Sequence, residues 1–166
     1  MPATPCLEVD VEADWIDYNG HMNDACYAET FSRSGDAFMA SLGMDAQSRL
    51  EDHRTIFTLA VVIRYLAECK LGDRIGVTLQ ILEHDAKRMR FWLEARRSAD
   101  ETLLATSEQV MMCVIRDKDR PRAANFSDPV AAKLEVIAAA HAALPTPLDA
   151  GQGLALRRQT PSSVTP

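Results

Sequence analysis

The chain has 166 residues, 47% of them apolar, enough to close one hydrophobic core but too few for a second once a Pro- and Gly-marked C-terminal stretch is set aside. A formal net charge of -6 and a pI near 5.2 exclude a general nucleic-acid surface or an anionic-membrane surface, because phosphate binding needs a concentrated basic face. The start of the chain carries acids where a signal peptide needs a basic and then an apolar run, and no stretch approaches the ~18 apolar residues of a membrane span, so a cytoplasmic protein is expected.

Cys6 to Val11 alternates apolar and acidic residues, the pattern of a half-buried first strand at a sheet edge. Asp14 to Ala25 is a polar loop that enters a long helix ending at Gly43. Asn23 is the expected N-cap, and Asp24 suits the positive end of the helix dipole. Ala28, Phe31, Gly35, Phe38 and Leu42 give the helix its apolar face, with Glu29, Arg33 and Asp36 on the other side. Residues 44–54 show neither period and read as a connection with a short helical turn.

Phe57, Leu59, Val61, Ile63 and Tyr65 then form one apolar row, Ile75 to Ile81 a second, and Met89 to Ala95 a third, with turns at Leu71-Gly72-Asp73 and His84-Asp85-Ala86-Lys87. Trp92 is the one large apolar residue on the polar side of its strand. A fourth long strand runs from Leu103 to Ile115, with apolar residues in both registers, as a bulge would produce. A second helix is expected over 131–143, begun near Ser127-Asp128-Pro129. Pro145, Pro147, Gly151 and Gly153 open a mobile tail with little to bury, so residues 1–144 form the domain and 145–166 the tail. Strand, long helix, then four strands joined by short turns makes an α+β layer, one antiparallel sheet curled around one helix, with edge strands that favour self-association.

Within seven residues, Asp17 to Asn23 brings together a carboxylate, two amides at Asn19 and Asn23, a glycine at Gly20 and an imidazole at His21. Such a loop can hold a reactive carboxylate against a helix N-terminus. An Asp-x-Asn-Gly run is equally an ordinary turn, and Asn23 serves equally as a helix cap alone. His21, His53, His84 and His141 have no ligand-like spacing, and Cys6, Cys26, Cys69 and Cys113 contain no Cys-x-x-Cys pair, so no metal is expected. No Gly-rich phosphate loop follows a strand and no Gly-x-Ser-x-Gly elbow occurs, which removes nucleotide-binding and serine-hydrolase functions.

The order of elements and the segment Asp17-Tyr18-Asn19-Gly20-His21-Met22-Asn23 resemble the hotdog-fold acyl-CoA thioesterases of the 4-hydroxybenzoyl-CoA thioesterase-like group, over about residues 5–120. More narrowly, Trp15 to Asn23, Tyr65 to Asp73, His84 to Arg88 and Leu104 to Gln109 resemble the betainyl-CoA thioesterases of carnitine breakdown. The resemblance implies the hotdog fold, a homodimer joined sheet edge to edge and often paired into a homotetramer, and active sites at the subunit interface. It puts Asp17 at the family's catalytic carboxylate position, in preference to the helix acids Glu29 and Asp36.

A thioester is already activated, and its hydrolysis needs a water or carboxylate at the carbonyl and a donor for the developing oxyanion. Asp17 supplies the first. N–H groups around Asn23 and Asp24 supply the second, Gly20 lets the backbone approach, and Asn19, His21 and Asn23 orient the parts. Betaine carries a quaternary ammonium, best held by aromatic faces. Trp15, Tyr18, Phe57, Tyr65 and Trp92 are the candidates, with Trp15 and Trp92 preferred because Phe57 and Tyr65 share an apolar row of the kind that faces a core, and Glu68 is a counter-charge or a solvated acid. Lys87, Arg88 and Arg90 could meet the phosphates of CoA or form a solvated strand face. No cofactor is expected, CoA being part of the substrate. A hotdog hydratase or dehydratase and a non-catalytic acyl-CoA-binding module are the alternatives.

Overall fold

The computed structural model of the protein describes residues 2–117 and 120–153. In chain order these form β1 (Thr4–Asp10), α1 (Asp24–Leu42), α2 (Ala46–Asp52), β2 (Arg54–Tyr65), β3 (Arg74–His84), β4 (Arg88–Arg97), β5 (Leu103–Asp117), β6 (Arg120–Ala123) and α3 (Asp128–His141). The strands make one antiparallel sheet in the order β1-β3-β4-β5-β2, with β6 added to the end of β5. β1 and β2 are therefore the two edges. One face of the sheet receives α1, whose Phe31, Phe38 and Leu42 form a single core with Ile75, Leu79, Phe91 and Leu93. This is the hotdog arrangement expected of the sequence, with α3 added through Val130 and Leu134.

α1 begins and ends where its sequence signals place it. The Asn23 side chain accepts the Ala25 N–H at 2.9 Å, and Gly43 takes the left-handed conformation at φ 94°. Gly35 meets the sheet closely: a Cβ there would lie 3.2 Å from Met111 Cε. Ala28, expected on the buried face, is instead exposed beside β2. The short helical turn expected within the 44–54 connection is a helix over residues 46–52, capped by a reciprocal pair, Ser48 N–H to Asp45 Oδ1 at 2.8 Å and Asp45 N–H to Ser48 Oγ at 2.9 Å. β6 is an added strand that the pattern does not show, whereas α3 starts at Asp128 after Ser127, within the Ser127-Asp128-Pro129 start expected for it.

Two corrections concern which way side chains face. β2 carries a bulge between Thr58 and Ala60, so its expected apolar row is broken. Ile56, Thr58, Val61, Ile63 and Tyr65 lie opposite the helix-facing residues of β5, whereas Phe57 lies opposite Met112 and faces the other way. β5 shows apolar residues in both registers for a different reason than the bulge expected there. Its register shift is confined to the first residues, and along the rest both faces are covered.

The second cover is the stretch after α3. Gln80 Nε2 donates to the Pro145 carbonyl at 3.3 Å, the Gly151 N–H donates to Glu108 at 3.0 and 3.1 Å, and Arg64 Nη2 donates to the Gln152 carbonyl at 3.3 Å. Residues 145–153 thus cross the face of the sheet remote from α1, over β3, β5 and β2, and Trp92, Thr106 and Glu108 are buried there. This stretch is the first part of the expected tail, and it lies against the sheet. The remainder of the expected tail, 154–166, lies outside the described residues.

Candidate active site

The loop between Trp15 and α1 is folded by its own backbone. The Asp17 N–H donates to the His21 carbonyl at 2.9 Å, the Gly20 N–H donates to the Asp17 carbonyl at 3.0 Å, and Ile16 and Met22 form an isolated bridge. Gly20 sits at φ 81°, a conformation that other residues adopt only with strain, which is why glycine stands there. The Met22 N–H donates to the Cys69 carbonyl at 2.8 Å and so stitches the loop to the segment following β2. Residues 47 positions apart in sequence are brought side by side.

Asp17 accepts the Asn19 N–H on Oδ1 at 2.8 Å, the Asn19 side-chain amide on Oδ2 at 3.3 Å and the His21 N–H on Oδ1 at 3.5 Å. The Asn19 N–H foremost, with its amide and His21, holds the Asp17 carboxyl below its ordinary value and therefore ionised. Turn former and reactive group are the same residue here, because the turn supplies the hydrogen bonds that fix the carboxylate. His21 Nε2 lies 2.9 Å from Glu68 Oε2, and the Glu68 carbonyl in turn accepts Arg97 Nη2 at 2.7 Å.

Asp17, His21 and Glu68 line one open cleft of about 400 Å³ together with Met22, Asp24, Tyr27, Tyr65, Leu66 and Ala67. Tyr65 also lines an adjoining stretch with Ala28, Ser32, Thr58, Val61, Ile63 and Gln109, so a groove runs on between α1 and the β2 edge. At the helix start the Asn23 N–H is taken by the Trp15 carbonyl at 2.8 Å and the Ala25 N–H by the cap. Of the donors expected around Asn23 and Asp24, the Asp24 N–H is the one with no acceptor among the described residues. It lies at the positive end of α1, where an oxyanion is stabilised. Glu29 and Asp36 are exposed on α1, away from this cleft.

Other expected site residues lie elsewhere. Trp15 is a core residue, packed within the same cluster as Phe31 and Tyr27. Trp92 is buried on the sheet face remote from α1, opposite Gln80 and Glu108, and does not join the group around Asp17. Arg90 reaches between Glu83 and the buried Glu108, while Arg88 is bound to Asp85 at 2.6 Å. Both guanidinium groups are thus committed to carboxylates of their own chain, and Lys87 is exposed in the adjacent turn. None of the three lines the Asp17 cleft. The aromatics that do line it are Tyr65 and Tyr27, their rings 5.5 Å apart and edge to face. Tyr65 shares an apolar row with Phe57, which ranks it below Trp15 and Trp92 among the aromatic candidates; only the edge position of β2 signals its exposure. Tyr27 falls one turn into α1, on the side that meets the end of β2.

The thioesterase-like superfamily model matches residues 11–134. The chain is 40% identical over 149 residues to a betainyl-CoA thioesterase of Pseudomonas aeruginosa, covering 90% of this chain and 92% of that one. It is 35% identical over 152 residues to an L-carnitine dehydrogenase/betainyl-CoA thioesterase of Rhizobium meliloti, and spans 30% of that longer protein. Its fold matches a Staphylococcus aureus protein solved in complex with CoA at a TM-score of 0.83, with 29% identity over 95% of this chain and 98% of that one. By the family match over most of its length and the 40% identity to a thioesterase covered nearly end to end, the chain belongs to the thioesterase-like superfamily as a hotdog-fold thioester hydrolase.

Proposed function

We propose that the protein hydrolyses betainyl-CoA to betaine and CoA, with Asp17 as the reacting carboxylate. The observation that carries this reading is the fixed, ionised Asp17 carboxylate on the cleft wall beside the start of α1. Asp17 acts on the thioester carbonyl as general base for a water or as the nucleophile itself, and the Asp24 N–H receives the developing negative charge on oxygen. His21 and Asn19 keep the loop in register, Asn23 holds the helix start, and Gly20 leaves room for the substrate. The substrate assignment rests on the betainyl-CoA thioesterase relatives. A thioester needs no further activation, so CoA within the substrate is the only cofactor chemistry this reading uses.

The working unit in this reading is a homodimer in which two β2 edges pair. Leu59, Val61 and Tyr65 of that edge strand are exposed, and a second copy would close the groove between α1 and β2. Pairing of dimers into a homotetramer is part of the proposal. So is a cytoplasmic location, for which Cys6, Cys26, Cys69 and Cys113 as free thiols are support. No helix of the described residues is long and apolar enough to cross a membrane.

The test follows free-thiol release from betainyl-CoA, acetyl-CoA and a medium-chain acyl-CoA with wild type and Asp17→Asn. Fast release from betainyl-CoA, reduced roughly 10²- to 10⁴-fold in the variant, is the expected result. Comparable release from every thioester would keep the hydrolase and discard betaine, and no release from any would favour a binding module or a hydratase.

A further inference from the structure

Tyr65 ends β2 on the side that faces α1. Beyond the Leu59 bulge, Tyr65 pairs with Ala105, and its side chain turns with Val61 and Ile63 toward the helix rather than toward the opposite sheet face. Two contacts fix the ring there. Tyr27, buried in the core, meets it edge to face, and the Tyr65 hydroxyl donates to the Asp24 carbonyl at 3.4 Å. The ring is nonetheless 51% exposed and lines both the Asp17 cleft and the adjoining stretch of groove. A rigid, half-open aromatic side chain at the junction of two cleft segments costs little entropy to use.

Among the described residues, the charged side chains that line the cleft are Asp17, Asp24 and Glu68, beside His21, and no Lys or Arg lines it; Arg97 stands behind the wall on the Glu68 carbonyl. An anionic acyl group is opposed by this wall, and a long aliphatic one gains nothing from its carboxylates. A quaternary ammonium is suited to it, because its charge is spread over methyl groups that donate no N–H bond and that rest on an aromatic face. Two roles must therefore be divided along the cleft, with the thioester carbonyl at Asp17 and the acyl head displaced from it toward β2.

We propose that Tyr65 is the specificity-determining residue of the site, its ring carrying the trimethylammonium head of the acyl group, with Glu68 and Asp24 as the surrounding negative charge. The proposal rests on the thioesterase reading given above and adds the element that selects the cation. Tyr27 acts as a positioning residue by holding the Tyr65 ring, and takes no part in contacting substrate.

The experiment compares betainyl-CoA with 3,3-dimethylbutanoyl-CoA, in which carbon replaces the quaternary nitrogen so that shape is kept and charge is lost. Wild type, Tyr65→Leu and Tyr65→Phe are assayed for kcat/KM on both. Because the α-ammonium itself activates its carbonyl, the preference is read relative to the ratio of the two thioesters' uncatalysed hydrolysis rates, and wild type is expected to exceed that ratio by about tenfold, a cation–π contribution of ordinary size. Tyr65→Leu is expected to lose most of that excess by slowing betainyl-CoA by a larger factor than the neutral isostere. Tyr65→Phe keeps the ring and is expected to keep the preference, which also guards against a misfolded Leu variant. An excess over the uncatalysed ratio that survives in Tyr65→Leu overturns the proposal. A wild-type ratio no greater than the uncatalysed one overturns it while leaving the thioesterase intact, and no hydrolysis of either overturns the thioesterase reading as well.

Discussion

His21 Nε2 and Glu68 Oε2 stand 2.9 Å apart across the mouth of the Asp17 cleft, joining the loop before α1 to the segment after β2. Both side chains are partly open to solvent, so the pair contributes within ~1 kcal/mol to stability. Its weight falls on geometry, because the imidazole ties to Glu68 the loop whose His21 backbone N–H donates to Asp17. His21→Ala is expected to lower kcat/KM roughly tenfold, the equivalent of ~1.4 kcal/mol in the barrier, with a melting temperature close to that of wild type. A melting temperature that fell with the activity would instead make His21 a folding residue.

The Asp17 carboxyl is held below its ordinary value by the Asn19 N–H first of all. A depressed value keeps the reacting carboxylate ionised down through the usual Asp range near ~3.9, so the acid limb of kcat/KM is expected to fall below that range. Asn19→Ala removes the side-chain bond and leaves the stronger backbone bond, and should move the limb only slightly upward. A limb at neutral pH would assign the titration to another group.

His141 is buried at the end of α3, where Nδ1 accepts the Ile81 N–H at 3.0 Å and Nε2 lies 3.2 Å from Thr4 Oγ1. Burial pushes its pKa down, so the folded protein prefers neutral imidazole and the unfolded chain binds the proton more readily. The stability His141 contributes is therefore present above the ordinary His value near ~6.5 and is lost as pH falls from there through the depressed folded value. The melting temperature should decline across that window in wild type and decline less in His141→Gln.

Removal of everything after Leu144 takes away the Gly151 N–H that Glu108 accepts and uncovers Trp92. A buried carboxylate that loses a partner costs ~1–3 kcal/mol, and the chain ended at Leu144 should be destabilised by that amount. Its tryptophan emission should shift to the red as Trp92 meets water while Trp15 stays in the core.

Periodicity alone placed the long helix, the five long strands and α3, because a period of two or of three to four repeats over many residues and each repeat reports the same buried face. The loop Asp17 to Asn23 was equally legible, since its turn, its cap and its carboxylate are made by neighbours in sequence. What the tertiary structure decided are the contacts between distant segments. Glu68 meets His21 only because the Cys69 carbonyl accepts the Met22 N–H, and Trp92 is buried only because residues 145–153 cross the sheet. A one-residue bulge at Leu59 parts Phe57 from Tyr65, and the edge position of β2 leaves Tyr65 open on the cleft. Hydrophobicity records that a residue tends to be covered, whereas which segment covers it, and whether it ends on the core or on the site, depends on chain pairings that no local pattern encodes.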